Sequence, residues 1–150
     1  MEDWKIKTIL LGYDGSAGAK KAADLAAALA RQNGARIVVM TAFPHASRLL
    51  QLVKGPTYMG KAEGEVGPES IAASETAEAL VQQYQAAGLA AEADVLEGPA
   101  SEAMLRAAEA HGADLIVLGR RGHGVTAGLL LGSTSEYVVR RAMAPVLVAH

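Results

Sequence analysis

Cysteine is absent from the 150 residues, which removes disulfides, iron–sulfur clusters, thiolate zinc sites and cysteine nucleophiles together. A chain without thiols suits a reducing compartment, and a cytoplasmic location is expected. Aromatic residues make up 4%, with one Trp and one Phe, too few for a surface on which successive nucleic-acid bases stack. The formal net charge is only -2, so no overall field draws the chain to nucleic acid or to an anionic membrane. The apolar stretch at residues 8–11 follows a charged start containing Trp4 and is far shorter than a signal-peptide core or a membrane span. These absences lead to a small-molecule partner, with no nucleic acid and no membrane.

What the chain does have is apolar residues, 51% against 20% charged. That composition supplies the interior of one compact domain, and 1–150 is expected to fold as one. Short apolar runs rich in β-branched residues recur at 7–11, 36–42, 93–96, 115–118 and 145–149. They are continuous rather than alternating, the mark of strands covered on both faces. Between them lie alanine-rich segments with helical spacing: Ala22, Leu25, Ala26 and Leu29, then Ala73, Ala77, Leu80, Val81 and Tyr84, then Met104, Leu105 and Ala108. Ser16 and Ser133 stand where N-caps belong, Pro99 just inside a helix start, and Gly34, Gly88 and Gly112 just past helix ends. Strand and helix alternate, so the expected fold is α/β: an open, parallel, five-stranded, Rossmann-like sheet of order 3-2-1-4-5 with helices on both faces. One stretch breaks the rhythm. Residues 44–68 carry Gly55, Gly60, Gly64 and Gly67 around Leu49, Leu50, Leu52 and Val53, an excursion with room for a short helix, read either as a lid over a site or as a surface loop.

The chemically informative stretch runs Gly119-Arg120-Arg121-Gly122, then nine residues, then Gly132-Ser133. It begins at a strand end and stops at a helix start, where glycine lets backbone approach a polyphosphate and unpaired N–H groups attract anions. The same residues have a purely structural use, in which the glycines shape a turn and Ser133 caps the last helix. No lysine follows Gly132, so this is not a Walker P-loop, and the turn Gly12-Tyr13-Asp14-Gly15-Ser16-Ala17-Gly18 lacks the dinucleotide fingerprint. Asp14 in that first turn can hold ribose hydroxyls, a base amine or Mg²⁺, or can simply bond its own backbone. Ligands of open parallel sheets bind beyond the carboxyl strand ends where strand order reverses, here between strands one and four. Asp14 and Gly119 are therefore expected to border one crevice.

The start Ile9-Leu10-Leu11-Gly12-Tyr13-Asp14-Gly15-Ser16, the complete glycine pattern and the ending Pro145-Val146-Leu147-Val148 resemble the universal stress protein family over essentially the entire chain. The glycine pattern is that of the family's ATP-binding branch. The resemblance implies an adenine nucleotide hydrolase-like fold, homodimers, and ATP or AMP as ligand, with Mg²⁺ able to arrive on the phosphates; the apolar run at 145–149, read as a C-terminal edge strand, is the expected place of that pairing. It places Asp14, with Gly15 and Ser16, at the ribose. Gly119 and Gly122 come against ribose and phosphates, and Gly132, Ser133, Thr134 and Ser135 against phosphate. Ala42 offers main chain to adenine. Arg120 and Arg121 replace the small or neutral residues common there, either as phosphate ligands or as solvated charges. Gly12 replaces the proline of some ATP-binding members.

His45, His111 and His150 have no partner at ligand spacing, and no metal site is expected. No catalytic residue is assigned: Ser133, Thr134, His123 and the arginines include no dedicated general base, and Glu136 follows on the last helix. The expected function is an ATP-binding stress-response module. The alternatives are a nucleotide-free dimeric interaction protein on the same fold and a slow ATPase.

Overall fold

The computed structural model describes residues 1–44, 67–120 and 131–150. Expectations for residues 45–66 of the excursion, including its short helix, and for Arg121, Gly122 and His123 lie outside the described residues, while its expected end is helical: Gly67 caps and Pro68 opens the following helix. Within them the chain runs β1 (Thr8–Gly12), α1 (Ala17–Asn33), β2 (Arg36–Phe43), α2 (Pro68–Ala86), β3 (Ala91–Glu97), α3 (Ala100–His111), β4 (Leu115–Gly119), α4 (Ser133–Arg141) and β5 (Val146–Ala149). The strands form one 5-stranded sheet in the order β3-β2-β1-β4-β5, every neighbouring pair parallel. This is the expected order, with the reversal between β1 and β4.

Alternation along the central strands explains their unbroken apolar character. Ile9, Leu11, Ile37, Val39, Leu115 and Val117 face one core with α1 and α2, while Leu10, Val38, Met40, Ile116 and Leu118 face the other with α3 and α4. A strand buried on both faces has no position at which a polar side chain is cheap. Alanine sets the distance on the first face: Ala19, Ala22, Ala23, Ala26, Ala27 and Ala30 are all buried, and their short side chains let α1 lie close over the sheet. Leu25, expected inside, is 37% exposed, while Leu29 packs against the margin of that core. On α2 the five expected core residues are all buried. On α3 the buried set is Ala103, Met104 and Ala107, with Leu105 and Ala108 packed at its margin.

The helix ends follow local chemistry, with two corrections. Ser16 caps α1, its Oγ accepting the Ala19 N–H at 3.2 Å, and Gly34 and Gly112 close α1 and α3 in the left-handed conformation at φ 66° and 60°. Pro99 is the N-cap of α3 rather than its first helical residue. At α4 the N-cap is Gly132, extended at φ -71° and ψ 164°, so Ser133 is the first helical residue and not the cap. The Gly132 carbonyl accepts the Glu136 N–H at 2.9 Å and the Ser135 hydroxyl at 3.0 Å.

Candidate functional site

Three carboxyl strand ends meet at the reversal point. β1 lies between β2 and β4, with Gly12 opposite Met40 and Leu11 opposite Val117. After Gly12 the chain must leave the sheet and enter α1 within a few residues. Gly15 makes the turn at φ 78°, a backbone conformation that side chains with a Cβ rarely adopt. The Oδ1 atom of Asp14 accepts the Ser16 N–H at 2.9 Å, so this carboxylate shapes the turn while lying on an exposed residue at the mouth of the crevice. Thr41 supports the turn from β2, donating its Oγ1–H to the Tyr13 carbonyl at 2.9 Å. Burial first, then the charges of Asp14 and Asp24, push the Tyr13 phenol above its ordinary value, keeping it neutral beside the acidic turn.

Main-chain alternation orients Ala42. In a parallel ladder each residue turns its N–H and C=O to the same neighbour, and successive residues alternate sides. The Met40 carbonyl accepts the Tyr13 N–H at 2.9 Å on the β1 side, while the Phe43 carbonyl accepts the Gly98 N–H at 2.8 Å on the β3 side. Ala42 therefore turns its amide and carbonyl toward the β1 side, beyond Gly12 where that strand ends. Its main chain faces the crevice, and its half-buried side chain packs into the second core.

The other wall starts at Gly119. A Cβ on Gly119 would come within 2.6 Å of the Gly18 carbonyl carbon and 2.8 Å of its oxygen, so this glycine is what lets β4 end against the first turn of α1. Arg120 then donates its N–H to the Ala149 carbonyl at 2.8 Å, and its own carbonyl accepts the Gly132 N–H at 2.8 Å. The chain has thus returned to the strand end by Gly132, and α4 starts there. The N–H groups of Ser133, Thr134 and Ser135 in the first turn have no partner within the helix, a general property of helix starts. Ser133 is exposed and Thr134 half-buried, whereas Ser135 is buried; its Oγ lies 2.8 Å from the Arg120 carbonyl and 3.0 Å from the Gly132 carbonyl. Glu136 is paired with Arg140 at 2.8 Å, one turn along the helix.

The structure brings Asp14, Gly15, Ser16, Ala42, Gly119, Arg120, Gly132, Ser133, Thr134 and Ser135 to the same end of the sheet, while Gly122 is outside the described residues. Sequence reasoning missed Thr41 and Met104. The Met104 side chain occupies the volume a Cβ on Gly12 would enter, so Gly12 is matched by a long side chain from α3. It also missed His111, whose Nε2 lies 2.8 Å from Asp94 Oδ2. Those two residues sit on α3 and β3, and helical or strand spacing within either element gives no sign of the pairing. Among the described residues no cluster of three or more His, Cys, Asp or Glu side chains is arranged to hold a metal ion, and no helix is long and apolar enough to cross a membrane.

Comparison with known proteins finds the same fold and a family. A universal stress protein of Thermus aquaticus is 41% identical over 146 residues, covering 96% of this chain and 98% of its own. A universal stress protein solved in complex with cAMP shares the fold with a TM-score of 0.69 at 25% identity, covering 97% of each chain. Another, from Archaeoglobus fulgidus in complex with dAMP, superposes with a TM-score of 0.69 at 21% identity, covering 99% of this chain and 100% of its own. Residues 5–150 match the description of the universal stress protein family, and with that match spanning the sheet, both cores and the crevice, the chain belongs to that family.

Proposed function

We propose that this protein binds an adenine nucleotide, ATP or AMP, in the crevice between the β1 and β4 ends, and that it acts as a stress-response module in the cytoplasm through the nucleotide it holds. The observation that carries the reading is the convergence of two unlike chemistries at one strand reversal. The Asp14 turn lies at the end of β1, and the first turn of α4 lies beside the end of β4. A carboxylate suits sugar hydroxyls or the base amine, and helix-start N–H groups suit phosphate. Between them the outward-turned main chain of Ala42 offers a donor and an acceptor to a base edge. The relatives solved with cAMP and dAMP support the same ligand class, since both ligands consist of adenine, a pentose and one phosphate.

In this reading Gly15 and Ser16 hold the Asp14 carboxylate at the sugar. Gly132, Ser133 and Thr134 meet phosphate, and Gly122 and the Arg120 side chain complete that end. The further phosphates of ATP carry Mg²⁺ with them, bound chiefly through phosphate oxygens. Binding rather than turnover is the proposed activity, because Glu136, the carboxylate nearest α4's start in sequence, is engaged by Arg140. We also propose a homodimer paired along the β5 edge.

Thr134→Asp tests the site without threatening the fold. A carboxylate in the first turn of a helix complements the helix dipole, so the variant should fold at least as stably as the parent. It also places negative charge where phosphate is expected. AMP and ATP affinity, measured by calorimetric titration, should fall by about tenfold or more. Wild-type protein that releases no nucleotide on extraction and binds none at millimolar AMP or ATP defeats the proposal.

A further inference from the structure

Ser135 stands out because its hydroxyl is buried, 2% exposed, yet is committed to main chain rather than open to a ligand. Its Oγ is within bonding distance of two carbonyls at once, those of Arg120 at 2.8 Å and Gly132 at 3.0 Å. One O–H proton serves either carbonyl or is shared between them. Arg120 is the residue after β4, and Gly132 is the N-cap of α4. The Arg120 carbonyl also accepts the Gly132 N–H at 2.8 Å, and the Arg120 N–H is bound to the Ala149 carbonyl at 2.8 Å. These bonds make a closed knot tying the carboxyl ends of β4 and β5 to the start of α4. Ser135 is its only side chain among the described residues.

From this geometry we infer that Ser135 is a positioning residue for the phosphate end of the nucleotide site: its hydroxyl fixes the first turn of α4 against β4 and does not itself contact phosphate. The inference rests on the proposed nucleotide site and narrows it. Ser133, exposed, and Thr134, half-buried, present the side chains and amides of that turn, and Ser135 sets where they point. A helix start attracts an anion only over about its first turn, so a small rotation of α4 misdirects its amides. The effect must therefore appear on the phosphate and not on adenine or ribose, which are bound across the crevice.

The test compares wild type with Ser135→Ala in two ways. In ligand-free protein, hydrogen exchange of the Gly132 amide is expected to speed up by about tenfold in the variant, because the bond to Arg120 loses its buried support. In binding titrations AMP is expected to weaken by about tenfold while adenosine, which lacks phosphate, binds as before. Ser135→Thr, which keeps the hydroxyl, should restore both readings, and it carries the comparison if the alanine variant folds poorly. Wild-type exchange at Gly132 in Ser135→Ala, or equal weakening of adenosine and AMP, overturns the inference. So does fast exchange with unchanged AMP affinity, since the knot would then not govern the phosphate end. If wild-type protein binds neither AMP nor adenosine, the nucleotide site itself falls, while the exchange comparison still decides whether Ser135 holds α4.

Discussion

At the residue scale the two glycines that flank the crevice floor do different work. Gly119 meets backbone: an added Cβ lies 2.6 Å from the Gly18 carbonyl carbon, and neither strand nor helix can yield without moving the turn that carries Asp14. At Gly12 an added Cβ would meet the far end of a flexible side chain, the Met104 methyl, and Met104 can withdraw by changing rotamer. Gly119→Ala is therefore expected to destabilise the protein by about 1–3 kcal/mol, as overpacking against a rigid surface does. Gly12→Ala should cost clearly less. Urea denaturation of both variants settles the order, and equal losses would show that the contact at Gly119 is not the limiting one. In sequence both residues are strand-end glycines. Only the partner, backbone in one case and a methionine in the other, separates them.

At the scale of elements, α1 and α2 cover one face of the sheet and are joined by a long-range bond from Tyr84, whose hydroxyl donates to the Ala23 carbonyl at 2.6 Å. Burial first, then the Asp24 charge and Tyr13, push this phenol well above its ordinary value of 10.0. A raised value means that folding favours the neutral phenol. The stability it contributes is whole below pH 10.0 and is lost as pH rises from there toward the higher folded value. Tyr84→Phe removes both the bond and the titration. At neutral pH the variant should be less stable by about 1 kcal/mol, and the gap to wild type should close as pH rises above 10.0. Thermal unfolding followed from pH 8 to 11 checks this; a gap that stays constant across the range refutes it. The helical periodicity of α2 placed Tyr84 in the core correctly, because its five buried positions all lie on one stripe. The recipient carbonyl, 61 residues away in sequence, has no signature in either helix.

At the scale of the whole molecule the sheet leaves β3 and β5 as edges. β5 is short and apolar, with Val146, Leu147 and Val148 half-buried in the isolated chain. The carbonyls of Pro145 and Ala149 accept N–H groups of Ile116 and Arg120, so by alternation Val146 and Val148 turn their main-chain groups outward. An apolar edge without charge or internal proline is prone to pair with another. Val148→Pro removes an outward N–H without removing a bond to β4, and proline is tolerated at an edge in that orientation. If the protein dimerises through β5, light scattering should show the proline variant as a folded monomer where wild type is a dimer. A variant that remains dimeric excludes this edge.

Local chemistry alone determined a great deal of this protein. The apolar runs of the three central strands, β1, β2 and β4, are buried on both faces, while the edge strands β3 and β5 are only partly covered; alanine stripes became closely packed helices, and Ser16, Gly34 and Gly112 closed helices where their conformational preferences predict. Those features depend on neighbours a few residues apart, so they are written in the order of residues, as is the family resemblance of the Asp14 turn and the glycine pattern. The tertiary structure decided which groups face the crevice and which are consumed in building it. Gly119 is consumed by α1, Ser135 by the carbonyls of Arg120 and Gly132, and the N-cap of α4 passes from Ser133 to Gly132. The first two depend on contacts between segments distant along the chain, Gly119 with Gly18 and Ser135 with Arg120, and only the folded sheet brings such segments together.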